Sequence, residues 1–212
     1  MRALVFISLF SSLAAGEILY LQPLGKELPD ADVEAVRRGI VEFYGLEVRI
    51  LKRVPLPPAA WYPPRRRWRA EKILEFLDTR LPEDGERILG LTAADISTTK
   101  GQIDDWGVLG LGELPGKAGV ISSFRAKRRA KDALVPRERL AKVAVHEIGH
   151  TLGLDHCPTE GCLMHDAEGK VQSCDVEFDL CPHCRQKLSD SGRTIPASPK
   201  PPWRAETRST PK

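Results

Sequence analysis

One short stretch of this 212-residue sequence combines three histidines, a glutamate and a glycine at spacings that suit metal chemistry. His146 and His150 are four residues apart, so on an α-helix of about 3.6 residues per turn both imidazoles point to one side and can hold one Zn²⁺. Glu147 lies on the adjoining strip, where its carboxylate can reach a water molecule at the metal. Gly153 can adopt a positive φ and end the helix, which lets the chain turn back and bring in His156 as the third ligand.

This pattern predicts hydrolysis. Three neutral imidazoles leave a fourth position on Zn²⁺ for water and lower the pKa of that water toward ~7. Glu147 would take a proton as the water attacks a scissile carbonyl, and would then pass it to the leaving amine. The alternative is a helix whose histidines are satisfied core residues, but the spacing, the glutamate and the glycine would then have to coincide by chance.

Cysteines form a second group directly after His156. Four of them have the spacing of a tetrahedral zinc site, namely Cys157, Cys162, Cys181 and Cys184. The alternative is a pair of disulfides in one of three connectivities. A redox role for Cys181 and Cys184 would require a neighbouring βαβ crossover, which this segment lacks. Cys174 is left over, either as a small buried hydrophobe or as a spare thiol.

The complete pattern H-E-x-x-H-x-x-G-x-x-H-C-x4-C-x-M, followed by C-x-x-C, resembles the archaemetzincin family of metzincin metallopeptidases. The resemblance implies a metzincin-like α/β fold. A mixed twisted sheet would pack on helices that include the active-site helix, with a small zinc-stapled C-terminal subdomain. It also implies a zinc-dependent peptidase with two Zn²⁺ per chain, one catalytic and one structural, and an aminopeptidase-like activity attributed to some relatives. Met164 would then lie beneath the three histidines. Many metzincins carry a tyrosine two residues after this methionine, and here that position is Asp166.

Two other functions remain open at this point. The first is a catalytically weak or inactive zinc-dependent module that binds peptides or proteins on the same scaffold. The second is a nucleic-acid-binding zinc ribbon built on the four cysteines and the basic runs 65–69 and 125–131, which leaves the histidines and Glu147 unexplained. The net charge is +3, and residues 191–212 contribute +4 from five basic residues and one acidic residue. The near-neutral remainder argues against a nucleic-acid surface, so we expect a peptide or protein substrate.

The ends of the chain differ in composition from the middle. Residues 1–16 have a charged start, a short apolar run and then small residues, which is typical of a signal peptide. An added N-terminal strand or a misassigned start are the alternatives. A cleaved signal predicts a secreted or periplasmic protein without stable membrane insertion; otherwise we expect a cytoplasmic one. Residues 17–190 are predicted to form one metallopeptidase domain, likewise expected to be a monomer. Residues 191–212 are proline-rich, basic and poor in aliphatic residues, which predicts disorder.

The remaining pattern alternates between strands and helices, as expected for an α/β protein. The predicted strands cover 18–24, 46–54, 87–96, 106–111 and 118–124. The predicted helices cover 30–44, 66–81 and about 136–153, with a short one after Cys184. The 136–153 helix carries a second, apolar stripe that can pack on the sheet while the histidines face outward. In the family that the sequence resembles, substrate lies antiparallel to the strand before this helix, so Gly119 to Arg125 is the predicted substrate-binding edge.

Overall fold

A five-stranded mixed sheet forms the centre of the fold in this computed structural model, which describes residues 17–25, 28–166, 168–193, 195–196 and 203. In spatial order its strands are β2 (Glu47–Ile50), β1 (Ile18–Leu24), β5 (Arg87–Thr92), β9 (Ala118–Ser122) and β8 (Gly110–Gly112). The first four strands are parallel, and β8 runs antiparallel to β9. The predicted mixed sheet is therefore confirmed, although the strand predicted at 46–54 is shorter.

A second sheet of four strands lies beside the first. In spatial order these are β3 (Trp61–Tyr62), β4 (Arg67–Arg69), β6 (Ile96–Lys100) and β7 (Ile103–Val108). Sequence reasoning merged β5 with β6 and β7 with β8, and both merged strands are wrong. The chain bends before β6 because the Asp95 carboxylate pairs with Arg67 and Arg125, which come from elements far away in sequence. Each of the two predicted strands, 87–96 and 106–111, therefore contains residues from both sheets.

Five α-helices pack around the sheets in the part of the chain that the structure describes. They are α1 (Asp30–Tyr44), α2 (Ala70–Asp78), α3 (Ser123–Ala126), α4 (Leu134–Thr151) and α5 (Pro182–Asp190). The bounds predicted for α1 are confirmed, and α1 ends at Gly45, whose φ of 71° is left-handed. The helix predicted at 66–81 begins only at Ala70, because the residues before it pair with β3 and β6 as strand β4. The helix predicted after Cys184 begins earlier, at Pro182.

The core lies on both faces of the five-stranded sheet. Alternate residues of β1 point to opposite faces, as a strand requires, with Leu21 on one side and Tyr20 on the other. One hydrophobic cluster fills the space between the sheet, α1 and α4 and continues into the cysteine segment. The other packs α2 against the opposite face. The segment that carries the predicted metal ligands is thus attached to the larger of these two clusters.

The predicted substrate-binding edge from Gly119 to Arg125 is wrong. Strand β9 lies between β5 and β8, and all its residues are buried. An apolar run of this kind is typical of an interior strand covered on both faces. The chain then enters α3 at Ser123, so the predicted edge also extends past the end of the strand. The free edge on this side of the sheet belongs to β8.

Two further predictions concern the ends of the chain. The predicted signal peptide at 1–16 lies outside the described residues. Within residues 191–212, which the sequence predicts to be disordered, Trp203 is buried and stacks on Phe43 with ring centroids 6.0 Å apart. Ile195 also packs against the core. No helix in the described part of the chain is long and apolar enough to cross a membrane.

Candidate metal centre

Helix α4 carries the first two histidines on one side and packs into the core with the other. The predicted apolar stripe is confirmed, because Leu140, Ala144, Ile148 and Leu152 are all buried. The helix ends at a Schellman motif, in which the Gly153 N–H donates to the His150 carbonyl and the Leu154 N–H to the Gly149 carbonyl. Gly153 has a φ of 93°, a conformation that favours glycine. The turn reverses the chain and sends His156 back towards the helix.

The three imidazoles converge. The Nε2 atoms of His146 and His150 are 3.0 Å apart. The ring of His156 lies 5.4 Å from that of His146 and 4.8 Å from that of His150, centroid to centroid. One ring nitrogen from each histidine can be chosen so that all three lie within 4.8 Å of one another. Sequence spacing predicted this convergence, and the structure brings all three residues together.

Hydrogen bonds fix which nitrogen of each α4 histidine faces the site. Nδ1–H of His146 donates to the Leu163 carbonyl at 2.6 Å, and Nδ1–H of His150 donates to the Leu154 carbonyl at 2.7 Å. Carbonyl oxygens only accept, so each Nδ1 holds the proton and each Nε2 presents a lone pair. Burial lowers the pKa of His146 to about 3 and also lowers the pKa of His150. Both are therefore neutral, which is the form that binds a metal.

A zinc ion fits these donors. Two ligand nitrogens of a tetrahedral Zn²⁺ lie about 3.3 Å apart, since Zn–N bonds are about 2.0–2.1 Å long. Two facing lone pairs at 3.0 Å repel each other unless a cation lies between them. His156 is the most exposed of the three ligands. Its Nδ1 lies 3.8 Å from Asp166 Oδ2, which also pairs with Lys100 at 3.3 Å.

Glu147 lies beside the histidines with its carboxylate buried against β8. It is 5% exposed, and burial raises its pKa to about 8, while a hydrogen bond from the Gly112 backbone N–H acts in the opposite direction. Gly110 and Gly112 make this contact possible. A Cβ on Gly110 would overlap the Glu147 carboxylate, and one on Gly112 would come within 2.6 Å of the Glu147 carbonyl oxygen. Sequence reasoning missed the role of both glycines, because the contact joins two separate elements.

The four predicted cysteine ligands also come together. The Sγ atoms of Cys157 and Cys181 are 3.7 Å apart, and those of Cys162 and Cys184 are 3.8 Å apart. A disulfide requires about 2.05 Å, whereas two thiolates on one tetrahedral Zn²⁺ lie about 3.8 Å apart. All five cysteines are free thiols, and the fifth, Cys174, is buried away from this cluster. The donor set and its spacing therefore fit a zinc ion rather than two disulfides.

Met164, which the resemblance predicts beneath the histidines, packs against helix α4. Its side chain is fully buried and packs against Gly149, which lies between His146 and His150 on α4. A Cβ on Gly149 would overlap the sulfur of Met164. The adjoining Leu163 carbonyl accepts the hydrogen bond from His146. The segment around Met164 therefore supports both the backbone and one ligand of the histidine site.

A cavity of about 590 Å³ opens around the three histidines and Glu147. The free strand β8 lines one side of it. On the other side the cavity extends one helical turn past His146 to Lys142, and it reaches Glu177 on the loop before Cys181. Sequence reasoning missed Lys142 and Glu177, since nothing in their spacing relates them to the histidines.

The fold and this site define a zinc metallopeptidase. Residues 33–190 match the model of peptidase family M54. An archaemetzincin of Natronomonas pharaonis is 32% identical over 174 residues, which cover 78% of this chain and 96% of that protein. The crystal structure of an archaemetzincin from Methanopyrus kandleri superposes with a TM-score of 0.73 at 27% identity, covering 85% of this chain and 97% of that one. The archaemetzincin structure from Archaeoglobus fulgidus gives 0.67 at 32% identity, with 80% and 99% covered. The chain therefore belongs to peptidase family M54, the archaemetzincins.

Proposed function

We propose that this chain hydrolyses peptide bonds, with Zn²⁺ held by His146, His150 and His156 and with Glu147 as the general base. The observation that carries the proposal is the convergence of the histidine rings beside the Glu147 carboxylate, in a cavity bordered by a free strand edge. When bound, the zinc ion supplies Lewis acidity, which activates water and polarises a carbonyl oxygen.

The protein residues have separate roles in this scheme. His146 and His150 are held in the metal-binding tautomer by the carbonyls of Leu163 and Leu154. Glu147 accepts the proton of the attacking water and delivers it to the nitrogen of the leaving amine.

We place the substrate along β8 in an extended conformation. Leu109 accepts a hydrogen bond from Ser122, and Glu113 donates one to Ala118, so these residues face β9. Because strand residues alternate in direction, Gly110 and Gly112 face the cavity. The backbone N–H and C=O of Gly110 and the C=O of Gly112 can pair with an antiparallel peptide. In this arrangement β8 takes the place that sequence reasoning had assigned to β9.

The second part of the proposal is a structural zinc on Cys157, Cys162, Cys181 and Cys184, which makes two Zn²⁺ per chain. The cysteine cluster lies at the start of α5 and in the loop that follows His156. A zinc ion bound by Cys157 would restrict the position of His156, because these two residues are consecutive in the chain.

Elemental analysis and a peptide panel test the proposal together. We expect two zinc ions per chain and chelator-sensitive cleavage of unstructured peptides, restored by added Zn²⁺. The His150→Ala variant should hold one zinc and show no cleavage, while the exposed His183→Ala variant keeps both. Zinc-loaded protein that binds the peptides but cleaves none would instead indicate a binding module. Comparing free with acetylated peptide N-termini tests the aminopeptidase-like activity.

The cellular setting is a separate proposal. If residues 1–16 direct export, the mature protein begins near residue 17 and acts as a secreted or periplasmic monomer. N-terminal sequencing of the protein from its native host checks the cleavage, and light scattering checks the monomer. An intact N-terminus would contradict a cleaved signal peptide.

A further inference from the structure

One oxygen of a buried carboxylate in the active-site cavity has no hydrogen-bond partner among the described residues. Glu177 is 4% exposed, and its Oε1 atom is buried without a hydrogen bond. The residue lines the same cavity as the three histidines. An unpaired buried charge is costly, so a protein retains one most readily where a ligand supplies the missing partner.

The groups around Glu177 leave that position open. His165 Nδ1 lies 3.9 Å from Oε1, which is too far for a hydrogen bond. Lys142 is a buried cation that acts on Glu177, but its ammonium donates to the Cys174 carbonyl at 2.6 Å. It also lies over the ring of Phe178, 4.3 Å from the centroid. Burial raises the pKa of Glu177 to about 7, and the positive charge of Lys142 offsets only part of this increase.

The position of Glu177 relative to the scissile bond follows from the direction of β8. Gly110, at the start of β8, contacts the Glu147 carboxylate, whereas Gly112, at its end, approaches His150. Strand β8 therefore runs along α4 in the same direction, and the cavity around Lys142 lies towards its start. A peptide antiparallel to β8 then has its C-terminal half at the Lys142 and Glu177 end.

We propose that Glu177 selects a basic side chain, arginine or lysine, at the residue directly after the scissile bond. This inference rests on the proposed peptidase function and names the substrate class of that site. The guanidinium or ammonium group donates to Glu177 Oε1 and neutralises its charge. Charge-assisted hydrogen bonds in a water-poor site are stronger than neutral ones. A basic substrate would also favour the ionised form of Glu177, so binding and ionisation support each other.

Isosteric peptides test the charge alone. We suggest one quenched fluorescent sequence with arginine, citrulline, lysine, norleucine or glutamate after the scissile bond. The wild type should show a kcat/KM at least about tenfold higher for arginine than for citrulline, and the same order for lysine over norleucine. In Glu177→Gln both ratios should fall to about one, because the neutral amide no longer favours a cationic side chain over its uncharged counterpart. Glu168→Gln, which removes an exposed carboxylate nearby, should keep the wild-type ratios.

Binding separates this inference from the proposed function. The same peptides are titrated against zinc-loaded Glu147→Gln, with and without Glu177→Gln, by fluorescence anisotropy. A tenfold affinity gain for arginine that depends on Glu177 supports the pocket even if the wild type cleaves nothing, in which case only the peptidase proposal fails. Cleavage with equal rates for arginine and citrulline, a ratio that persists in Glu177→Gln, or a preference for glutamate would overturn the inference while leaving the peptidase proposal intact.

Discussion

The backbone N–H of Cys157 donates a hydrogen bond of 2.7 Å to the carbonyl oxygen of Met164. It joins the residue after His156 to the segment that packs beneath the other two histidines. The neighbouring Leu163 carbonyl accepts the hydrogen bond of His146. The histidine and cysteine clusters are therefore connected through one short piece of backbone. We expect a change in one cluster to alter zinc binding at the other.

Loss of a cysteine ligand should weaken zinc binding at the histidines. In Cys184→Ser we expect the structural zinc to be lost and the melting temperature to fall, because a structural zinc contributes about 10–16 kcal/mol of apparent binding free energy. We also expect the remaining zinc to be removed at a lower chelator concentration. The control is Cys174→Ala, which removes a buried thiol outside the cluster. Equal chelator midpoints in the two variants would contradict the connection.

The contact between Gly149 and Met164 should be tight enough to measure. Gly149→Ala places a methyl group on the Met164 sulfur, so we expect a loss of about 1–3 kcal/mol in the free energy of unfolding. The double variant Gly149→Ala, Met164→Ala should lose less than the two single variants added together, because the smaller side chain leaves room for the methyl. Chemical denaturation of the four proteins checks this, and strict additivity would show that the two residues do not touch.

Gly110→Ala should impair catalysis without removing zinc. The added methyl would overlap the Glu147 carboxylate and displace it from the cavity. A displacement of about 1 Å in a catalytic group can cost about a hundredfold in rate, so we expect kcat to fall on that scale. Zinc per chain should stay at the wild-type value, because the histidines are not touched. Wild-type kcat in this variant would mean that the position of Glu147 is unimportant for turnover.

The buried Glu177 carboxylate should make stability depend on pH. Its folded pKa is raised by burial to about 7 from an ordinary 4.5. The contribution of Glu177 to the free energy of unfolding is therefore complete below about pH 4.5, and it is lost as the pH rises through about 7. Lys142, His165 and Cys174 are ionisable groups that face the same space, so the comparison is made between Glu177→Gln and the wild type. We expect the variant to gain stability relative to the wild type between about pH 5 and about pH 8. A constant difference in melting temperature would contradict this.

Local patterns allowed much of this molecule to be predicted. The apolar spacing over 30–44 and the following Gly45 gave the bounds of α1, and His146 and His150 converge because one helix carries both. The break between β5 and β6 could not be predicted, because it depends on Asp95 pairing with Arg67 and Arg125 in the folded chain. The position of Glu177 could not be predicted for the same reason, because packing in the folded chain rather than spacing in the sequence places it in the cavity.

The central claim is that Glu147 acts as the base beside a zinc ion held by three histidines. The most direct test measures peptide cleavage and zinc per chain in the same preparations of the wild type and Glu147→Gln. We expect both proteins to hold two zinc ions and the variant to lose at least about a hundredfold in kcat/KM, in keeping with the loss of a general base. Undiminished cleavage by the Glu147→Gln variant with its zinc in place would contradict the claim.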